Sequence, residues 1–159
     1  MNIFLAAGKD LYQFPKNKTF FDKIPRVTWI DLSNNDIHHV LPDISKLTYL
    51  QKLSLEGNNI HHLPSTMSNL SYLIHVDLAD NNFTIYPSCL KLRQKYLLSI
   101  DFHGMPNVIL PKWFWNAPLL RKLDLEYNNM NYIPNELKLM SESLEHLELS
   151  FNNISHVRE

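Results

Sequence analysis

The chain has 159 residues, 45% of them hydrophobic and 19% charged, a composition that fits one ordinary globular domain rather than a disordered chain. A net charge of −1 excludes a generic electrostatic pull onto nucleic acid or anionic lipid, so neither is expected as a partner. The single cysteine, Cys89, excludes an internal disulfide and favours a reducing compartment, so a cytoplasmic location is expected.

In chain order, MNIFLAAGKD is apolar for too short a run to cross a membrane. It has no basic residues before it, and Lys9 and Asp10 interrupt it, so a signal peptide is not expected. Asn-x-Ser/Thr sequons at Asn17, Asn69, Asn82 and Asn153 count toward secretion, and the missing signal counts against it. LYQFP at 11–15 has the form of the tail of the units that follow, so residues 1–26 are expected to be a partial or divergent N-terminal repeat.

Residues 27–159 then read as about six repeats, the last one truncated. The frame L-x-x-L-x-L-x-x-N-x-L fits Val27, Ile30, Leu32, Asn35, Ile37 and again Leu50, Leu53, Leu55, Asn58, Ile60. Further copies are Leu73, Val76, Leu78, Asn81, Phe83; Leu120, Leu123, Leu125, Asn128, Met130; and Leu144, Leu147, Leu149, Asn152, Ile154. A fourth copy, starting at Leu97, is degenerate: Met105 stands where Asn should be, and Asn107 where an aliphatic should be. The starts are spaced 23, 23, 24, 23 and 24 residues apart. Apolar residues at positions 4 and 6 have the period of a strand with one buried face. The Asn at position 9 turns the chain, and its amide can donate and accept toward backbone groups left open there. Stacked copies predict an asparagine ladder of Asn35, Asn58, Asn81, Asn128 and Asn152.

The return half of each unit is punctuated by Leu63-Pro64, Tyr86-Pro87, Leu110-Pro111 and Ile133-Pro134. Three residues on come Met67, Leu90, Phe114 and Leu137, a stride that fits a short helix or 3₁₀ segment. No single unit can bury its apolar face alone, so each relies on its neighbours. No cap is visible at either end, and the ends are expected to pack on a neighbouring domain or subunit.

This pattern, covering nearly all of the chain, resembles the leucine-rich repeat family. The Leu-Pro punctuation is similar to the intracellular repeats of Ras-suppressor-type scaffolds. The stretch FLAAGKDL…RVTWIDLSNNDI resembles the start of the repeats in plant NOD-like resistance receptors, and Roco-type kinases carry such repeats too. The resemblance implies an α/β fold: a right-handed solenoid with a parallel sheet on its concave side and short helices or 3₁₀ segments on its convex side. It also implies a protein-protein interaction module without enzymatic activity or cofactor. The alternative it implies is a sensor fragment of a larger signalling protein.

In such a solenoid, positions 3, 5, 7 and 8 face outward from the sheet, and they are the candidate partner-binding residues. Position 3 supplies Trp29, Lys52, His75, Lys122 and His146, and position 5 supplies Asp31, Asp77, Asp101, Asp124 and Glu148. Position 7 supplies Glu56, His103 and Glu126, and position 8 supplies Tyr127 and Phe151. Like charges on strands about 4.8 Å apart repel by about 0.9 kcal/mol even in water, so the acidic column is mildly strained. The aromatics are the preferred anchors. On the convex side, Trp113 and Trp115 flank the inward Phe114; they either fill space left by the irregular fourth repeat or form an exposed patch.

Catalytic signatures are missing: there is no P-loop, HExxH, G-x-S-x-G or cysteine pair. The pairs His38-His39 and His61-His62 fall at positions 12 and 13, between inward positions, so they are expected to be solvated loop residues rather than metal ligands.

Overall fold

The computed structural model describes residues 2–14, 20–106 and 108–155. Pro15, the Asn17 sequon, Asn107 and His156 lie outside them. Seven strands of three residues each make one parallel sheet, ordered along the chain as β1 Ile3–Leu5, β2 Trp29–Asp31, β3 Lys52–Ser54, β4 His75–Asp77, β5 Ser99–Asp101, β6 Lys122–Asp124 and β7 His146–Glu148. Each strand after β1 starts at position 3 of its frame, and the register never slips. Leu53, for example, sits opposite Ile30 on one side and Val76 on the other.

The strands are short because only their middle residue points inward. Ile30, Leu53, Val76, Ile100 and Leu123 form one buried column, and Leu32, Leu55, Leu78, Phe102 and Leu125 form the next. Burying each such side chain contributes about 1.5–3 kcal/mol. The return segments are 3₁₀ helices at Pro42–Lys46, Ser65–Asn69, Ser88–Leu90, Gln94–Tyr96, Lys112–Trp115 and Asn135–Met140. Ile44, Met67, Leu90, Phe114 and Met140 anchor five of them in the core. Before β2, a single-turn helix α1 (Phe20–Lys23) brings Phe20 and Phe21 against Phe4 and Phe14, closing that end with rings 5.0–5.7 Å apart. At the other end Leu144, Leu147 and Leu149 remain half-buried, because no further strand covers them among the described residues.

The turns are tied by the asparagines. Asn81 donates from Nδ2 to the carbonyls of Leu55 (2.8 Å), Leu78 (3.1 Å) and Ala79 (3.1 Å), and its Oδ1 accepts from Ile60 N–H at 2.9 Å. Asn58 does the same one repeat earlier, accepting from Ile37 N–H at 2.9 Å. Asn35 accepts from Lys9 and Leu11, and Asn152 from Asn128 and Met130. In the fourth repeat the buried Met105 occupies the ladder slot and offers no such bonds. There the seam is joined on the outer side, where Ile109 N–H donates to Thr84 O (2.9 Å) and Tyr86 N–H to Ile109 O (3.1 Å).

The convex tryptophans separate. Trp115 is buried, its ring perpendicular to Phe114 at 4.9 Å, so of the two alternatives it takes the space-filling one. The fourth turn is rebuilt around Met105 and Pro106, and Trp115 fills the space beside Val108 and Leu110. Trp113 is half-buried, edge-on to Tyr86 at 5.3 Å, with the Lys91 ammonium over its ring. Cys89 is buried in the third return segment, and burial pushes its thiol up to about 11.

Candidate functional site

The open face of the sheet gathers the residues of positions 3, 5, 7 and 8. Flat strands in strict register put like positions side by side. His75 lies between Lys52 and Ser99, and Asp101 between Asp77 and Asp124. The face therefore carries parallel stripes: a basic and aromatic one at position 3, and an acidic one at position 5. Trp29, Lys52, His75, Asp77, Asp101 and Lys122 line a shallow hollow of about 250 Å³ across the middle of it. The Lys52 ammonium lies 5.8 Å from the Trp29 ring centre, and His75 Nδ1 is 2.6 Å from Ser99 Oγ.

The position-5 carboxylates have a second task that the sequence reading missed. Each accepts a hydrogen bond from the backbone N–H two residues on and so ends its strand. Asp31 caps Ser33 (3.0 Å), Asp77 caps Ala79 (3.2 Å), Asp101 caps His103 (3.1 Å), Asp124 caps Glu126 (3.0 Å) and Glu148 caps Ser150 (2.9 Å). This Asx-type turn is local chemistry that Asp supplies readily. The spacing of an Asp and a turn four residues before the ladder Asn was the available signal.

Crowding and burial perturb the middle of the column. Burial first, with Asp101 and Glu56 nearby, raises the Asp77 carboxyl to about 6. Burial and then Asp124 raise Asp101, while burial and then the Lys52 ammonium lower His75. A carboxyl whose pKa is higher folded than unfolded holds its proton more tightly when folded. Its protonated form is therefore the more stabilising one, and stability falls as pH rises from about 4 to about 6 and is flat above that. The shift corresponds to about 3 kcal/mol at most, and screening at this half-exposed site lowers the expected contribution to about 1–2 kcal/mol. Asp77→Asn keeps an oxygen for Ala79 N–H and removes the charge. It is expected to raise stability at pH 7 by about 1–2 kcal/mol and to abolish that part of the pH 4–6 slope, as urea melts across that range will read.

Position 8 shows a different peculiarity. Its backbone is left-handed in every repeat: φ is 54° at Asn34, 63° at Gly57, 49° at Asp80, 71° at Gly104, and 54° at both Tyr127 and Phe151. Gly, Asn and Asp take this conformation readily, whereas bulky residues pay roughly 1–2 kcal/mol each. Tyr127 and Phe151 nonetheless hold their rings exposed and stacked, 4.4 Å apart and 5° from parallel. Stacking offsets about 0.5–1.5 kcal/mol of that strain. His103 meets Tyr127 edge-on at 5.3 Å, and its Nδ1 is 3.0 Å from Glu126 Oε2.

For metal chemistry, His103, Asp124 and Glu126 each place one ligand atom within 4.8 Å of the others, the one such group among the described residues. The paired histidines make no comparable cluster. His39 and His62 lie 5.6 Å apart with their rings tilted by 51°, while His38 and His61 each put Nδ1 near the carbonyl two residues back. An exposed aromatic ladder that sequence reasoning did not single out runs beside the strand starts, where Tyr49 and Tyr72 stack at 6.1 Å. No helix among the described residues is long and apolar enough to cross a membrane.

The Leucine Rich Repeat profile matches residues 49–70, and a second Leucine Rich repeat profile matches residues 141–156. No curated protein matches the chain. Among solved structures, a leucine-rich repeat protein of Leptospira interrogans is 26% identical over 92% of this chain and 36% of its own, with a TM-score of 0.79. TLR13, solved as a complex with ssRNA13, is 20% identical over 99% of this chain and 22% of its own, with a TM-score of 0.80, a likeness of fold alone. The plant peptide hormone receptor RGFR1, solved in complex with RGF2, is 25% identical over 85% of this chain and 23% of its own, with a TM-score of 0.64. The chain thus spans little more than a third of the Leptospira protein and about a quarter of the receptors. With its frame repeated along a seven-stranded parallel sheet and with these matches, the chain is built of leucine-rich repeats and has the leucine-rich repeat solenoid fold.

Proposed function

We propose that this chain is a non-enzymatic protein-recognition module that binds a protein partner through the open, concave face of its sheet. The observation that carries the reading is the striped face itself. Trp29 and the half-buried His75, Asp77 and Asp101 line a shared hollow, where a partner finds an aromatic anchor and partly desolvated charge together. Residues 1–26 serve as a divergent first repeat, and the module acts in the cytoplasm as a signalling scaffold of the Leu-Pro-punctuated type. The variant Trp29→Ala/His75→Ala/Lys122→Glu tests it, because anchor residues cost 2 kcal/mol or more when truncated, roughly thirtyfold in affinity. Affinity capture with this variant is expected to lose every specific partner of the parent chain; a variant that keeps them all sinks the concave-face reading.

A second reading, a sensor segment within a larger signalling protein of the NOD-like or Roco type, draws on the β7 end. Leu137, Leu144 and Leu147 are half-exposed there and line an opening of about 640 Å³ suited to a neighbouring repeat or domain.

A further inference from the structure

We infer that the position-8 stretch from Asp80 to Phe151 is a seat for an arginine side chain of a basic peptide partner. The inference rests on the recognition reading and names the chemistry of one end of that face.

Three observations converge. The first is the exposed aromatic stack of Tyr127 on Phe151, standing on a left-handed backbone where the other repeats keep Asn, Gly or Asp. The second is the notch beside it. Gly104 has no side chain, and a Cβ there would lie 1.9 Å from Asp80 Oδ1, so the Asp80 carboxylate leans over the glycine toward the rings. Asp80, Gly104, Pro106, Tyr127 and Phe151 thereby border a groove of about 440 Å³. The third is charge. No lysine or arginine borders this groove among the described residues, and His103 on its wall is engaged by Glu126.

The occupant follows from these chemistries. An acidic partner meets Asp80 and Glu126 and is repelled. A purely apolar one covers the rings but strips water from the Asp80 carboxylate without replacing its hydrogen bonds. A guanidinium satisfies both, since its flat, weakly hydrated face stacks on an aromatic ring while its edge donates to a carboxylate. A lysine ammonium supplies the charge without the slab. Lys122 serves the neighbouring column, where it faces Asp101, and leaves this groove without a resident cation.

The test is a titration of the ¹⁵N-labelled chain at physiological salt with the peptide acetyl-Gly-Arg-Gly-Arg-Gly-Arg-amide, followed at the Gly104 and Tyr127 amides. Its lysine and citrulline counterparts are run beside it. Saturable shifts are expected with the arginine peptide, weaker by about threefold or more with lysine and by about tenfold or more with uncharged citrulline. Tyr127→Asn/Phe151→Asn is expected to lose the response and to melt higher than the parent, because Asn accepts the left-handed backbone. The single variants Tyr127→Asn and Phe151→Asn give the same answer if the double variant does not fold. Equal response to lysine or citrulline, or an unchanged response in these variants, overturns the arginine seat. Those results leave the concave-face reading standing so long as Trp29→Ala/His75→Ala/Lys122→Glu still loses its partners, and the converse pattern overturns that reading alone.

Discussion

Asn81→Ala is expected to destabilise the chain by about 3–5 kcal/mol, far more than an ordinary polar truncation. Its amide group holds Leu78 O and Ile60 N–H in the buried turn between the second and third repeats, while Leu55 O keeps a second donor in Asn58 Nδ2. Removing it leaves these groups to water that can enter only by opening the turn, at about 1–3 kcal/mol for each one stranded. Asn35→Ala is the comparison, because Asn35 is half-exposed and its partners Lys9 and Leu11 lie near the surface. Denaturant melts are expected to separate the two by about 1–2 kcal/mol or more. Hydrogen exchange is expected to accelerate first at Ile60 in the Asn81 variant. Equal losses from both variants would mean that water satisfies the turn in either case.

Phe114→Ala is the second large effect, at about 3–5 kcal/mol. Phe114 is fully buried in the fourth return segment, with Tyr86 at 4.8 Å and Trp115 at 4.9 Å. Its own carbonyl accepts from Gln94 Nε2 at 2.7 Å, and Gln94 Oε1 accepts from the Tyr86 hydroxyl at 2.6 Å. The ring and this buried polar relay share one site, so the cavity that the substitution opens borders Tyr86 and Trp115, two large rings that cannot collapse without breaking the relay. Phe114→Leu keeps much of the volume and is expected to cost less than half as much. Calorimetry that finds the alanine variant within about 1 kcal/mol of the parent would show that the irregular repeat closes the gap by itself.

The period, the strand positions and the asparagine slots were legible because they depend on alternation and a fixed turn, which the letters record directly. Leu53, Leu55 and Asn58 could be placed before any coordinates. Trp115 could not, because its burial depends on the room left by the rebuilt turn at Met105 and Pro106, a property of two adjacent repeats rather than of a frame position. Gln94 was invisible for the same reason: a polar residue in a return segment reads as solvated unless Tyr86 is known to stand beside it. The open-face residues were found by column, yet the left-handed backbone under Tyr127 and Phe151 was not, since a frame written for apolar letters ignores conformation at its variable positions.

The strand-ending role of the position-5 carboxylates divides the labour of the open face. Asp31, Asp101 and Asp124 are committed to their own turns whatever binds above them. A new binding specificity can therefore be sought by varying positions 3 and 7, with position 8 confined to Gly, Asn and Asp for its left-handed backbone and position 5 held as a keel that keeps the strands cut to length. A combinatorial library built on that division retains its scaffold in every member, and one that also randomises the keel spends most of its diversity on frayed strands.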